Sequence, residues 1–176
     1  MTLARGLGSE YDSARESPGL LLWQVTNRWQ AAQRAALKPF GLTHVQFVLL
    51  ASLSWLEAEG PITQRRLADH AATDPMMTSQ VLRALELRGL VTRRAHPSDG
   101  RAQALNVTDA GAALANRAIV AVEGCDRRFF EPLESRTSEL AGLLRGLLEP
   151  VRATAPARPH GDPTDGEGGI RTRDGV

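Results

Sequence analysis

The chain has 176 residues, enough for one domain with a buried core plus a tail. Hydrophobic residues make up 42% and aromatics only 5%, the balance of an Ala/Leu-rich helical protein, and no stretch reaches the roughly 18 consecutive apolar residues of a membrane span. A formal charge of +1 is silent about partners, and a single cysteine, Cys125, excludes an internal disulfide and a Cys-based zinc site.

Residues 1–17 are polar and without period, and read as a flexible arm. From Gly19 to Pro39, Leu22, Val25, Trp29, Ala32 and Ala36 recur at alternating three- and four-residue steps. That spacing predicts a long helix with a seam for a partner helix, for its own core, or for both. Gly41 ends it. Thr43 then starts a second helix, in which Val45, Leu49, Leu53 and Leu56 mark one side and Phe47, Val48 and Ala51 broaden it up to Gly60-Pro61. A helix so nearly apolar all round belongs at the centre of a domain.

Ile62 and Thr63 predict a short strand or turn, with Thr63 capping a helix over residues 64–71. A turn through Ala72-Thr73 leads to Asp74-Pro75, a capping residue followed by a proline at the first helical position, where no N–H is needed. Thr78, Val81, Leu82 and Leu85 fall at i, i+3, i+4 and i+7 and face inward; Pro75, Met76, Ser79, Gln80 and Arg83 form the opposite face. Gly89 closes this helix in the left-handed conformation it tolerates. Residues 90–94 and 104–107 are strands around the turn formers Pro97-Ser98-Asp99-Gly100. Two short helices joined by a tight turn, then a basic hairpin, make a winged helix-turn-helix, suited to a helix in the major groove and a hairpin on the flanking backbone or minor groove. An amphipathic helix followed by an ordinary hairpin is the plainer alternative. Between Ile62 and Val107 seven arginines stand against four acids, so the basic excess sits on the proposed reader.

Thr108-Asp109 caps a long Ala-rich helix from Ala110 to about Phe130, which Pro132 breaks. Residues 135–149 form a last helix with Leu140, Leu143, Leu144, Leu147 and Leu148 on one face, stopped by Pro150. Residues 151–176 are dense in Pro and Gly and read as disordered.

The order of elements, with Leu67-Ala68-Asp69-His70, Leu85-Glu86-Leu87-Arg88-Gly89-Leu90-Val91-Thr92-Arg93, Asp99-Gly100-Arg101 and Leu105-Asn106-Val107-Thr108-Asp109-Ala110-Gly111, closely resembles the MarR family of bacterial transcriptional regulators over about Leu20 to Leu148. The fold class this implies is mainly α with a small β-hairpin wing. The segments become an arm (1–17), a first dimerisation helix and a central helix (18–60), the winged unit (61–108), C-terminal dimerisation helices (109–150) and a disordered tail (151–176). The resemblance further implies a homodimer in which the first, fifth and sixth helices of two chains interlock. Leu22, Val25, Leu140, Leu143, Leu144 and Leu147 are the candidates for that surface. Two winged units would read a pseudo-palindromic operator in double-stranded DNA, and family members are commonly repressors released by a small aromatic or phenolic ligand or by thiol oxidation.

The expected DNA-binding set is Arg65, Arg66, Met76, Ser79, Gln80, Arg83, Arg93, Arg94, Ser98, Asp99, Gly100 and Arg101. Ser79, Gln80 and Arg83 face the major groove, where Gln suits adenine and Arg suits guanine, although Ser and Arg equally suit phosphates. The resemblance implies that Arg101 enters the minor groove with Asp99 orienting a basic side chain. Trp23, Trp29, His44, Phe47 and Trp55 are the ligand candidates, each equally at home in a core. Cys125 reads as a structural cysteine, with a thiol-responsive regulator as the alternative. No cofactor is expected, the four histidines do not make a metal site, and no phosphate-binding Gly loop, Gly-x-Ser-x-Gly or His-Glu-x-x-His motif supports an enzyme. The N-terminus lacks a charged start, an apolar core and a small-residue cleavage site, so a cytoplasmic protein is expected. A winged-helix module that grips a partner protein instead of DNA is the second functional class.

Overall fold

A computed structural model describes residues 8–97 and 102–149. The wing tip Ser98 to Arg101, the first seven residues of the arm and the tail from residue 150 lie outside the described residues. The chain divides into two compact units, Met1–Glu134 and Ser135–Val176.

In the first unit α1 (Pro18–Leu37) begins at Ser17, whose side chain accepts from the Leu20 N–H, and Pro18 occupies the first helical position. A 3-10 turn, Lys38–Phe40, carries the chain to Gly41, which adopts φ +61°. Helix α2 (His44–Leu56) is opened by a reciprocal capping box, the Thr43 hydroxyl accepting from the Gln46 N–H and the Gln46 side chain accepting from the Thr43 N–H. Phe47, Leu49, Leu50, Leu53 and Leu56 are buried on it, so this helix is the spine of the core, as its nearly unbroken hydrophobicity predicts. Leu37, Leu67, Leu82, Leu85, Leu105, Leu114, Ala118 and Val122 complete the core around it.

Helices α3 (Gln64–His70) and α4 (Pro75–Leu87) follow, then the antiparallel strands β1 (Val91–Ala95) and β2 (Gln103–Val107), with Arg93 opposite Leu105. Ile62 adds a one-residue bridge on the other side of β2, the Leu105 N–H donating to its carbonyl at 2.8 Å. Helix α5 (Asp109–Phe130) packs along α1 and α2. It ends at Phe130, where the sequence places its end, and the 3-10 stretch that follows, Glu131–Arg136, is interrupted at Glu134, which takes φ +51°.

The second unit contributes α6 (Thr137–Leu148), which starts two residues later than the leucine spacing suggests. Leu143, Leu144, Leu147 and Leu148 are all exposed. Among the described residues no single helix is long and apolar enough to cross a membrane.

Candidate nucleic-acid interface

The reader is assembled from local signals that reinforce one another. Asp74 accepts from the N–H groups of Met76 (2.8 Å) and Met77 (3.0 Å), satisfying two orphan donors at the start of α4. Thr78 is fully buried under this turn: its hydroxyl donates to the Asp74 carbonyl at 2.8 Å and lies 2.8 Å from the Thr73 hydroxyl. The turn between α3 and α4 turns on Ala72, which sits at φ +49° without being glycine. A left-handed alanine costs about 1 kcal/mol, so the packing on either side must hold it there.

Thr78, Leu82 and Leu85 point into the core, which turns Met76, Gln80 and Arg83 to solvent and leaves Ser79 half-buried. The side chains of Ser79, Gln80 and Arg83 bond to no other described residue. Arg65 extends into solvent with only a 3.9 Å contact to Asp69, whereas Arg66 pairs with Glu59. Arg94 is exposed on β1, and Arg93 is half-buried and engaged with its neighbours. Ser98, Asp99, Gly100 and Arg101 fall outside the described residues.

The exit of α4 and the exit of the wing are locked together. Gly89 takes φ +66°, its N–H donating to the Glu86 carbonyl while the Leu90 N–H returns to Leu85. The Thr108 hydroxyl donates to the Gly89 carbonyl at 2.7 Å and accepts from the Gly111 N–H at 3.0 Å, so one side chain both caps α5 and fastens it to the end of α4. The sequence names Thr108 as a cap but gives no sign of that second bond. Arg88, Gln64 and Glu86 are also missed: Arg88 donates to the Gly41 carbonyl at 2.9 Å, far away in the chain.

The five ligand candidates differ in burial, and two of them are in ring contact. Phe47 is core, while Trp23 and Trp55 are 68% and 65% exposed. Trp29 and His44 do meet, edge to face, with ring centroids 5.0 Å apart. They belong to a network the sequence could not reveal. The Trp29 indole N–H and the Gln33 amide both donate to Asp126 Oδ1, at 2.7 and 2.6 Å, tying α1 to α5 across more than ninety residues. A cavity of about 520 Å³ lies beside it, lined by Ala32, Ala35, Ala36, Cys125, Arg128 and Phe129, and a second of about 770 Å³ lies against the wing, reached by Glu57, Thr92, Arg94 and Asn106. None of the five candidates lines either cavity. Cys125 is buried. Among the described residues no group of His, Cys, Asp or Glu is placed to hold a metal ion.

Burial lowers the His44 pKa below its ordinary 6.5, the nearby Asp126 carboxylate opposing that shift and Arg34 adding to it. Because the folded value lies below the unfolded one, the unfolded chain binds the proton first. The stabilisation is complete above the unfolded value and is lost as pH falls through it towards the folded value. Between about pH 7 and about pH 5 the urea midpoint of the protein is expected to fall more than that of His44→Gln. Equal falls for the two proteins would show that His44 does not carry the dependence.

A helix-turn-helix with a hairpin wing, set beneath a central apolar helix, defines the class of this protein: a winged helix-turn-helix nucleic-acid reader. The MarR family model matches residues 42–102. The HTH-type transcriptional regulator YdcH of Bacillus subtilis is 40% identical over 136 residues, covering 77% of this chain and 92% of the relative. The HTH-type transcriptional repressor Rv2887 of Mycobacterium tuberculosis is 40% identical over 110 residues, 62% of this chain and 77% of the relative. Its structure in complex with salicylic acid superposes with a TM-score of 0.59 at 36% identity, covering 77% of this chain and 99% of that one. CouR of Rhodococcus jostii, bound to p-coumaroyl-CoA, superposes with a TM-score of 0.69 at 26% identity, covering 84% and 100%. The chain belongs to the MarR family and is a transcriptional regulator.

Proposed function

We propose that the protein is a homodimeric repressor that binds a pseudo-palindromic operator and is released by a small aromatic ligand. The observation that carries the DNA-binding part is the outward face of α4. Met76, Gln80 and Arg83 are exposed there, the two polar ones unengaged by other described residues, beside a hairpin that carries Arg94. Dimerisation is supported by apolar side chains left in solvent. Leu22, Trp23 and Val25 are 53%, 68% and 47% exposed on α1, and Leu143 and Leu147 are 64% and 74% exposed on α6. Apolar surface in that amount is what a second copy covers. Repression and an aromatic effector are supported by Rv2887, a repressor whose structure contains salicylic acid.

The test is fluorescence anisotropy on a labelled duplex that the protein enriches from a random-sequence pool. Affinity is expected to fall steeply with salt, by about 0.9 log units per phosphate contact for each log unit of salt. Arg101→Ala is expected to lose about 1–3 kcal/mol. Sedimentation velocity should show a dimer, and salicylate should weaken the complex. Failure to bind any duplex in dilute buffer would leave the protein-partner reading in its place.

A further inference from the structure

Among the described arginines expected at the DNA, Arg66 pairs with Glu59, whereas Arg93 is held by two side chains from two different helices. Its Nε donates to Glu86 Oε1 on α4 at 3.0 Å, and its Nη1 donates to Gln64 Oε1 on α3 at 3.3 Å. Gln64 in turn reaches the Pro75 carbonyl in the first turn of α4, at a longer 3.5 Å. One planar guanidinium therefore joins the wing to both helices of the helix-turn-helix, with the two-pronged geometry that arginine offers and lysine does not.

Its place along the strand gives this joint leverage. Val91 and, on the partner strand, Leu105 are buried against the helices, whereas Arg94 and Ala95 are exposed. Side chains alternate along a strand, so Arg93 shares the inner face with Val91 and is the last residue of β1 anchored there before the hairpin leaves the domain. A two-stranded ribbon has little rigidity of its own. Its direction beyond this point is set by what the last anchor grips.

We propose that Arg93 is a positioning residue, which fixes the angle between the wing and α4 and acts on DNA affinity through that angle without touching DNA. The proposal rests on the DNA-binding reading above and sharpens it. A guanidinium already neutralised by Glu86 releases no counterion from a phosphate, whereas a direct contact would.

The same duplex and the variants Arg93→Gln, Glu86→Gln and the reversal Glu86→Arg/Arg93→Glu provide the test, with circular dichroism to establish folding. Arg93→Gln should weaken binding roughly five- to tenfold with an unchanged salt slope. Glu86→Gln should weaken it similarly, although it removes a negative charge from the neighbourhood of DNA. The reversal should recover part of the loss. A slope shallower by about 0.9 in Arg93→Gln, together with tighter binding by Glu86→Gln, would make Arg93 a phosphate contact and overturn the proposal. Should the wild-type chain bind no duplex at all, the DNA-binding reading fails separately. Hydrogen exchange then decides the joint: Arg93→Gln must speed exchange at the amides of β1 and β2, and unchanged exchange would overturn it.

Discussion

Leu85→Asp is expected to yield a chain without a cooperative unfolding transition. Leu85 is fully buried on the inner face of α4, and its carbonyl accepts the Leu90 N–H that ends the helix. Removing the isobutyl group forfeits about 2–5 kcal/mol of packing. The incoming carboxylate adds the cost of a buried charged or protonated group among Leu53, Leu82 and other core residues that offer no paired cation. Together these fall within the roughly 5–15 kcal/mol that holds a domain of this size. Leu87→Asp is the control: two residues away and 90% exposed, it should cost under about 1 kcal/mol. Circular dichroism against urea measures both. A cooperative transition retained by Leu85→Asp would mean that α4 is not seated in the core as described.

The second large effect is expected at a smaller residue. A methyl group added to Gly111 would lie 2.1 Å from the Leu90 carbonyl oxygen and 3.0 Å from Val107 Cγ1. The carbonyl cannot easily retreat. It accepts the Thr108 N–H at 3.1 Å, and Leu90 is held through its own N–H by Leu85. Relief requires the start of α5 to move off the end of α4, breaking the Thr108 bonds to the Gly89 and Leu90 carbonyls as it goes. Gly111→Ala is therefore expected to destabilise by about 3 kcal/mol, at the upper end of overpacking costs, because backbone and not a flexible side chain obstructs the new atom. Thermal unfolding followed at constant protein concentration measures it. A loss below about 1 kcal/mol would show that the α4–α5 junction is looser than its geometry implies.

Both predictions locate the stability of the reader in its attachment to the rest of the chain, not in the wing. This is consistent with a division of labour in which α2 and the start of α5 hold α4 in place, while the side chains of Ser79, Gln80 and Arg83 on its outer face bond to no other described residue. A side chain already hydrogen-bonded within the protein would have to break that bond before reading a base, which is why the unengaged state of Gln80 and Arg83 matters. Arg93, on the first strand of the wing, shows the opposite arrangement.

What the sequence by itself determined is what depends on neighbours along the chain. Thr43, Thr63, Asp74 and Thr108 cap the helices that the residue spacing predicts, and Gly41 and Gly89 end them, because a cap or a left-handed turn is decided within about four residues. The inward face of α4 was legible for the same reason: a period of 3.6 residues is a local property. Only the tertiary structure decided which distant groups meet. No local pattern links Trp29 and Gln33 to Asp126, Arg88 to Gly41, or Arg93 to both Glu86 and Gln64. The same holds for Ala72, an alanine in the left-handed conformation that glycine favours, which no residue pattern around it announces. The sequence groups Arg93 with the other basic residues of the reader, since it records that a side chain is basic but not that a carboxylate from another element, here Glu86, lies against it.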